Sequence, residues 1–297
     1  MEGTLSQCRL CPRRCGVDRL QGGIGRCGED SRIRIGRASL HRWEEPCISG
    51  VNGSGTVFFS GCALGCVFCQ NSVLSRPKGA GRYVDIDGLQ RIYASLKDQG
   101  AHNINLVTPS HYTPQIALSL DKDPGLPVVW NSSAYELPST LDMLKGKVRI
   151  FLPDLKYFDP DIAEKYSSAG DYPEIAKRAI EKMVELAGSP KFDQDGMMVS
   201  GVIVRHLVLP SHSSDSKRIV EYLYKTYGDS IYISIMSQYT PMPSVKYPEL
   251  KRKLRQREYE AVTDYALALG LTNGFFQEGE AASESFIPEF NGEGVDI

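Results

Sequence analysis

The chain has 297 residues, 41% apolar and 24% charged, with a formal net charge of −2. That length buries one large core, or a core with a small appendage, and the near-neutral balance argues against nucleic-acid binding by the chain as a whole. No apolar run approaches the roughly 18–20 residues a membrane helix needs, and Met1-Glu2-Gly3-Thr4 lacks the basic and apolar stretches of a secretory signal, so a cytoplasmic protein without a membrane partner is expected.

Residues 1–50 are rich in Cys, Arg and Gly and show little apolar periodicity. Such a segment cannot fold on apolar burial alone, and a bound metal is a natural staple. From residue 56 short β-branched runs alternate with helical patterns. Strands are expected over residues 56–60, 103–108, 127–131, 148–156, 201–209 and 231–236. Helices are expected over 86–99, 114–121, 137–144, 159–187 with a break near Gly170, 214–227 and 248–269. This alternation argues for a parallel sheet. The fold class is α/β, a partial (β/α)6 TIM-like barrel with a small Cys-rich amino-terminal segment; a doubly wound sheet is the alternative. The expected division is 1–50 for the Cys-rich segment, 51–275 for the barrel and 276–297 for an acidic tail. Residues 1–42 carry nine Arg against four acidic residues, and residues 277–297 carry six acidic residues and no Lys or Arg. Two solvated ends are the simpler reading; docking of one on the other is the alternative.

All eight cysteines lie between Cys8 and Cys69. Clustered cysteines in a cytosolic chain point to metal or redox chemistry rather than a disulfide framework. Cys62, Cys66 and Cys69 form a C-x3-C-x2-C loop directly after the first expected strand. A cubane iron–sulfur cluster ordinarily takes four thiolates, so three in one loop leave one iron open to a ligand. In a βα barrel chemistry sits at the carboxyl ends of strands. Here those ends are polar: Thr108-Pro109-Ser110-His111, Trp130-Asn131-Ser132, Asp154-Leu155-Lys156, Leu209-Pro210-Ser211 and Ser237-Gln238. Ile150, Leu152, Asp154 and Lys156 share one strand face by alternation. The apolar pair would fill the barrel and the charged pair would stand at its mouth.

The triad, with Phe68 before its last cysteine, resembles the signature of the radical S-adenosylmethionine (SAM) superfamily. Residues 53–62, Cys69-Gln70-Asn71 and Asp154-Leu155-Lys156 are similar to the corresponding strings of pyruvate formate-lyase-activating enzymes, and the whole chain resembles the branch labelled PflX. The resemblance implies a [4Fe–4S] cluster on Cys62, Cys66 and Cys69, with SAM chelated to the open iron. It implies reductive cleavage to a 5′-deoxyadenosyl radical that abstracts hydrogen from substrate. It also implies that Phe68 lies against adenine, that Asp154 sits near SAM and a monovalent cation, that Lys156 is an active-site residue, and that Arg205 contacts SAM. Thr108-Pro109-Ser110-His111 replaces the family's G-G-E motif: Thr108 and Ser110 stand where SAM's ammonium would be received, without a carboxylate. Trp130-Asn131-Ser132-Ser133 replaces an acidic cation ligand and places Asn131 to meet SAM. The implied partners are a low-potential donor, flavodoxin or ferredoxin, and a glycyl radical enzyme as substrate. Oxidation or rearrangement of a small molecule or peptide is the alternative within the family. A non-catalytic iron–sulfur or zinc protein is the alternative outside it.

Cys8-x2-Cys11-x3-Cys15-x11-Cys27 supplies four more thiolates, enough for a closed second site holding structural zinc or an auxiliary cluster. Cys47 has no spaced partner and reads as a buried thiol. His111, His212, Tyr112, Tyr135, Tyr157 and Tyr239 follow strand ends, where they serve either as rim packing or as substrate contacts; His206 alternates away from Arg205 toward the helices. Gln277 and Glu278 are placed to close the barrel's open side. The basic run 251–257 reads as a solvated helix face.

Overall fold

The computed structural model describes residues 2–76, 79–277 and 288–295. Its strands are β1 (Ile33–His41), β2 (Ser54–Phe59), β3 (Arg82–Val84), β4 (Ile104–Val107), β5 (Val128–Ser132), β6 (Ile150–Pro153), β7 (Lys191–Phe192), β8 (Met198–Leu207), β9 (Tyr232–Met236) and β10 (Gly274–Phe276). The α-helices are α1 (Glu2–Leu5), α2 (Pro46–Ser49), α3 (Ser72–Ser75), α4 (Ile86–Asp98), α5 (Thr113–Ser119), α6 (Pro138–Leu141), α7 (Pro160–Ser167), α8 (Tyr172–Ala187), α9 (Ser213–Tyr227) and α10 (Gln256–Ala268).

The sheet runs β10-β9-β8-β6-β5-β4-β2-β1-β3, with β7 paired to β8. From β2 to β10 every pairing along it is parallel. The six expected strands are the heart of this partial barrel. β10 adds a seventh parallel strand beyond the expectation, and β1 and β3 add an antiparallel edge, β1 lying against β2. Residues 33–41 therefore belong to the sheet rather than to the Cys-rich coil.

The helices pack outside on apolar stripes. In α4, Leu89, Ile92, Tyr93 and Leu96 recur at helical spacing and are buried. Asp85 caps that helix by accepting the Gly88 N–H at 2.7 Å. The expected break in 159–187 falls at Ser168, which ends α7 in the left-handed region at φ 47°. The last helix begins only at Gln256, after a short 3-10 turn over Pro248–Leu250, so the basic run lies mostly ahead of it.

The barrel interior is graded along its axis. Val129, Ile150, Leu152 and Ile203 form an apolar floor, and Cys47 and Ile48 of α2 are inserted into it. Full burial of a side chain such as Ile48 contributes about 1.5–3 kcal/mol. Asn103 Nδ2 fastens this plug by donating to Ile48 O at 2.7 Å. One alternation further up the same strands stand Asn131, Asp154 and Arg205, so the floor is apolar and the mouth is polar.

The carboxyl-terminal residues dock on the amino-terminal strand, against the simpler expectation of two solvated ends. Ala38 N–H donates to Glu293 O at 2.8 Å and Gly292 N–H to Gly36 O at 3.0 Å. Arg37 and Glu293 form an ion pair at 2.9 Å. Phe290 packs edge-on against Phe58. Gln277 accepts the Ser237 N–H at the end of β9; Glu278 and most of the acidic tail lie outside the described residues. Among the described residues no helix is long and apolar enough to cross a membrane.

Candidate active site

The loop after β2 begins at Gly61, whose φ of 89° favours glycine. A Cβ there would stand 2.8 Å from Cys27 O and closer still to Glu29. The next residue, Cys62, donates its N–H to Cys27 O at 3.0 Å. Arg13 braces the loop from the amino-terminal side, reaching Ala63 O and Ser167 O, both at 3.0 Å. Gln70 Nε2 ties the loop's far end to Gln238 O at 2.9 Å.

Cys62, Cys66, Cys69 and Phe68 line one cavity of about 240 Å³ together with Thr108, Asn131, Asp154, Lys156 and Arg205. Burial, then the neighbouring Cys66, raises the Cys62 thiol; burial, then Cys62, pushes Cys69 up to about 12. Ser167 Oγ donates to Cys66 Sγ at 3.1 Å. Phe68 is fixed by edge-on contacts with Tyr157, Tyr166 and Tyr239.

The charged groups interlock. Asp154 accepts from Lys156 Nζ at 2.7 Å and from Arg205 Nε at 3.0 Å. Arg205 also donates to Asn131 Oδ1 at 2.5 Å and to Glu44 Oε2 at 2.9 Å. Burial alone would raise the Asp154 carboxyl, but Lys156 and Arg205 outweigh it and hold it below the ordinary carboxylate range. Burial opposes the charge on Lys156, yet Asp154 and the nearby Cys66 keep the amine above its usual value. Thr108 is held at φ 59°, a left-handed conformation that is an outlier for a β-branched residue and costs about 1–3 kcal/mol. Its N–H is fixed by Asn131 O at 2.9 Å.

Glu44 is the residue that sequence reasoning missed. It enters on the segment leading to α2 and accepts from Asn105 at 3.0 Å and Asn131 at 3.3 Å, as well as from Arg205. Its neighbour Glu45 is buried, and desolvation raises its carboxyl above the ordinary range. The only local signal was an acidic pair ahead of Pro46-Cys47-Ile48; nothing nearby in sequence shows that this segment threads the barrel.

The remaining candidates lie away from the cavity lining, and the placement of Ser110 is corrected. Ser110 does not line the cavity; its hydroxyl bonds the buried Glu136, which also accepts from Trp130 and Ser132. His111 is buried with Nε2 against Ser60 O at 2.7 Å, and His212 meets Tyr166 OH at 2.8 Å. Tyr112, Tyr135 and Tyr239 donate to Glu29, Asp171 and Leu250 O, as rim packing does. His206 faces the helices, between Leu155 O and Ser216.

The sequence profile described as the radical SAM superfamily matches residues 56–223, more than half of the chain. The chain belongs to the radical SAM superfamily. Members of this superfamily are enzymes that use a [4Fe–4S] cluster and SAM, which sets aside the reading as a non-catalytic carrier. The chain is 30% identical over 272 residues to an uncharacterized protein of Methanocaldococcus jannaschii, covering 87% of this chain and 74% of that one. Its fold is similar to Streptococcus suis SuiB bound to the precursor peptide SuiA: TM-score 0.52, 16% identity, 74% of this chain and 47% of SuiB covered. SuiB bound to SAM matches at TM-score 0.51 and 16% identity, with 75% and 52% covered. The chain thus spans about half the length of the SuiB structures.

The radical SAM site suits its cofactors in the chemistry of its donors. Three unpaired thiols face one cavity, and among the described residues no three His, Cys, Asp or Glu side chains are grouped to hold a single ion. A cubane asks for that openness, because each thiolate takes a different iron. Beyond the thiols, the cavity offers both cations and carboxylates, as a zwitterionic amino-acid moiety requires.

Proposed function

We propose that this radical SAM enzyme cleaves SAM reductively and abstracts hydrogen from a polypeptide substrate. The observation that carries the reading is one cavity in which Cys62, Cys66 and Cys69 stand beside the Asp154–Lys156–Arg205 charge network. The bound cluster and SAM supply a 5′-deoxyadenosyl radical. The protein's part is to bind, orient and exclude water. The three cysteines hold the cluster. Lys156 and Arg205 receive the SAM carboxylate; Glu44, and the backbone at Thr108, receive its ammonium. Asn131 and Asp154 keep Arg205 in position, and the caged Phe68 ring packs against adenine.

The finer reading is activation of a glycyl radical enzyme, with flavodoxin or ferredoxin as donor, in the cytoplasm. It rests on the resemblance of residues 53–71 and 154–156 to activating enzymes. A second reading, oxidation or rearrangement of a peptide or small molecule, is favoured by Asn131. That residue stands where activases carry an acid, and it is bonded to Arg205. Similarity to SuiB, whose bound partner is a precursor peptide, points the same way.

Deuterium transfer tests both readings. The reduced enzyme is incubated with SAM and a deuterated candidate, either a glycyl radical enzyme or a peptide. Label carried into 5′-deoxyadenosine supports the reading, and a glycine-centred radical signal on the partner selects the activase. SAM cleavage with no label uptake from any polypeptide overturns polypeptide abstraction.

A further inference from the structure

Cys8, Cys11, Cys15 and Cys27 are the other concentration of soft ligands in the chain, and SAM cleavage does not use them. Residues 6–32 contain no regular helix or strand. Stretches of that length inside a compact domain ordinarily need some added restraint. The local apolar support is small: Leu5, Cys8 and Leu10 form their own cluster, flanked by Val17 and Met143. Yet Cys8, Cys11 and Cys27 are buried, and all four cysteines are unpaired thiols.

The four sulfurs share one neighbourhood. Cys11 lies within electrostatic range of Cys8, Cys15 and Cys27. A Cβ on Gly25 would stand 3.5 Å from Cys27 Sγ and 3.6 Å from Cys15 Sγ. Arg26 N–H donates to Cys15 Sγ at 3.1 Å, a bond that strengthens when the acceptor is a thiolate. Tight turns present the ligands: Gly16 N–H bonds Cys8 O at 2.9 Å and Arg14 N–H bonds Cys11 O at 3.0 Å. A tetrahedral zinc site draws its sulfurs to about 2.3 Å from one point. As at the catalytic triad, these thiols are not gathered around a single-ion position. Ligands to a polynuclear centre each take a different iron, so they need no single shared point.

We propose that Cys8, Cys11, Cys15 and Cys27 hold a second, fully ligated [4Fe–4S] cluster that fastens the amino-terminal segment against the back of the catalytic cysteine loop. The fastening is visible in the backbone. Cys27 O receives the Cys62 N–H at 3.0 Å. Arg13, between Cys11 and Cys15, bonds Ala63 O at 3.0 Å. Buried Arg19 crosses from Asp30 O to His111 O, at 3.1 and 2.6 Å. With four thiolates engaged no iron is left open for SAM. The centre is structural, and metal binding there is folding energy for the coil.

Metal content tests this without reference to SAM cleavage, so its failure would leave the proposed function standing. The full chain is reconstituted anaerobically with iron and sulfide and assayed for iron, sulfide and zinc. About eight irons per chain are expected, two cubanes of four. Replacing Cys62, Cys66 and Cys69 together by Ala should leave about four irons and four sulfides, with the absorption of a cluster. Replacing Cys15, the most exposed ligand, by Ala in the otherwise intact chain should lower the iron count while circular dichroism shows the barrel retained. About four irons in the parent chain, or zinc in place of iron in the triad variant, overturns the proposal. So does a parent iron count that Cys15→Ala leaves unchanged.

Discussion

Ser167 Oγ donates to Cys66 Sγ at 3.1 Å, and Tyr157 OH stands 2.7 Å from the same serine. The serine has one proton and gives it to sulfur, so the tyrosine donates to the serine. Hydrogen bonds to cluster sulfurs are one of the levers on reduction potential, because they favour the more negative, reduced state. Ser167→Ala should therefore lower the potential of the catalytic cluster by about 30–60 mV, roughly a three- to tenfold change for one electron. Tyr157→Phe should have a smaller effect of the same sign. A redox titration followed by electron paramagnetic resonance reads both, and an unchanged or higher potential in Ser167→Ala contradicts the assignment.

Arg205 is the hub of the charge network, bonded to Asp154, Asn131 and Glu44. Removing one member of a buried ion pair leaves its partner charged and alone, at about 3–5 kcal/mol. Arg205→Ala should destabilise the fold by that order and abolish SAM binding. Adding Glu44→Gln should restore part of the stability, since the orphaned charge is then removed. Denaturant unfolding of the single and double variants gives the coupling, and strict additivity would separate Glu44 from the network.

His206 is buried and desolvation lowers it to about 4, from an unfolded value near 6.5. It donates through Nδ1 to Leu155 O at 2.8 Å, and its Nε2 stands 2.8 Å from Ser216 Oγ. Nearby Lys156 lowers it further and Asp154 opposes that. Between those two values the unfolded chain binds a proton that the folded chain does not. This contribution is therefore fully present above about pH 6.5 and is lost as pH falls toward 4. Because His111 and His41 are lowered as well, the test is differential. His206→Gln should flatten the loss of stability between pH 6.5 and 4 by a few kcal/mol, read as melting temperature against pH.

Pro288 lines the active-site cavity, and the residues after it are strapped to β1. Gly294 makes the strap possible, since a Cβ there would press into Ala38 O. Gly294→Ala should undock residues 288–295, speed proteolysis at that end and weaken SAM binding several-fold, about 1 kcal/mol. Equal protease sensitivity and equal SAM affinity would mean the strap takes no part in closing the site.

The parallel core was readable because its strands are buried on both faces and are written as apolar β-branched runs that end in polar residues. Asp154 and Lys156 were placed at the mouth because strand alternation fixes which residues share a face, whereas Arg205 came from the resemblance to activating enzymes. What escaped was non-local. β1 alternates weakly, Ile33-Arg34-Ile35-Gly36-Arg37, and its arginines disguised a sheet edge whose partners are β2 and the carboxyl-terminal residues. β10 spans only Gly274–Phe276 and depends on pairing with β9. Glu44 reaches the site because α2 fills the barrel floor, a contact across distant strands that no local pattern encodes. Ser110 was misplaced because the turn after β4 tightens into a 3-10 helix over Ser110–Tyr112, and Glu136 takes its hydroxyl.

On the proposed function, Cys62, Cys66 and Cys69, beside a paired-charge cavity, hold the cluster that cleaves SAM. The direct measurement is 5′-deoxyadenosine released by the anaerobically reconstituted, reduced enzyme, set against Cys62→Ala with its remaining cysteines intact. Release by the parent chain that falls to background in Cys62→Ala is the predicted result. Equal release from both proteins, or none from a parent chain carrying its full complement of iron, would contradict it.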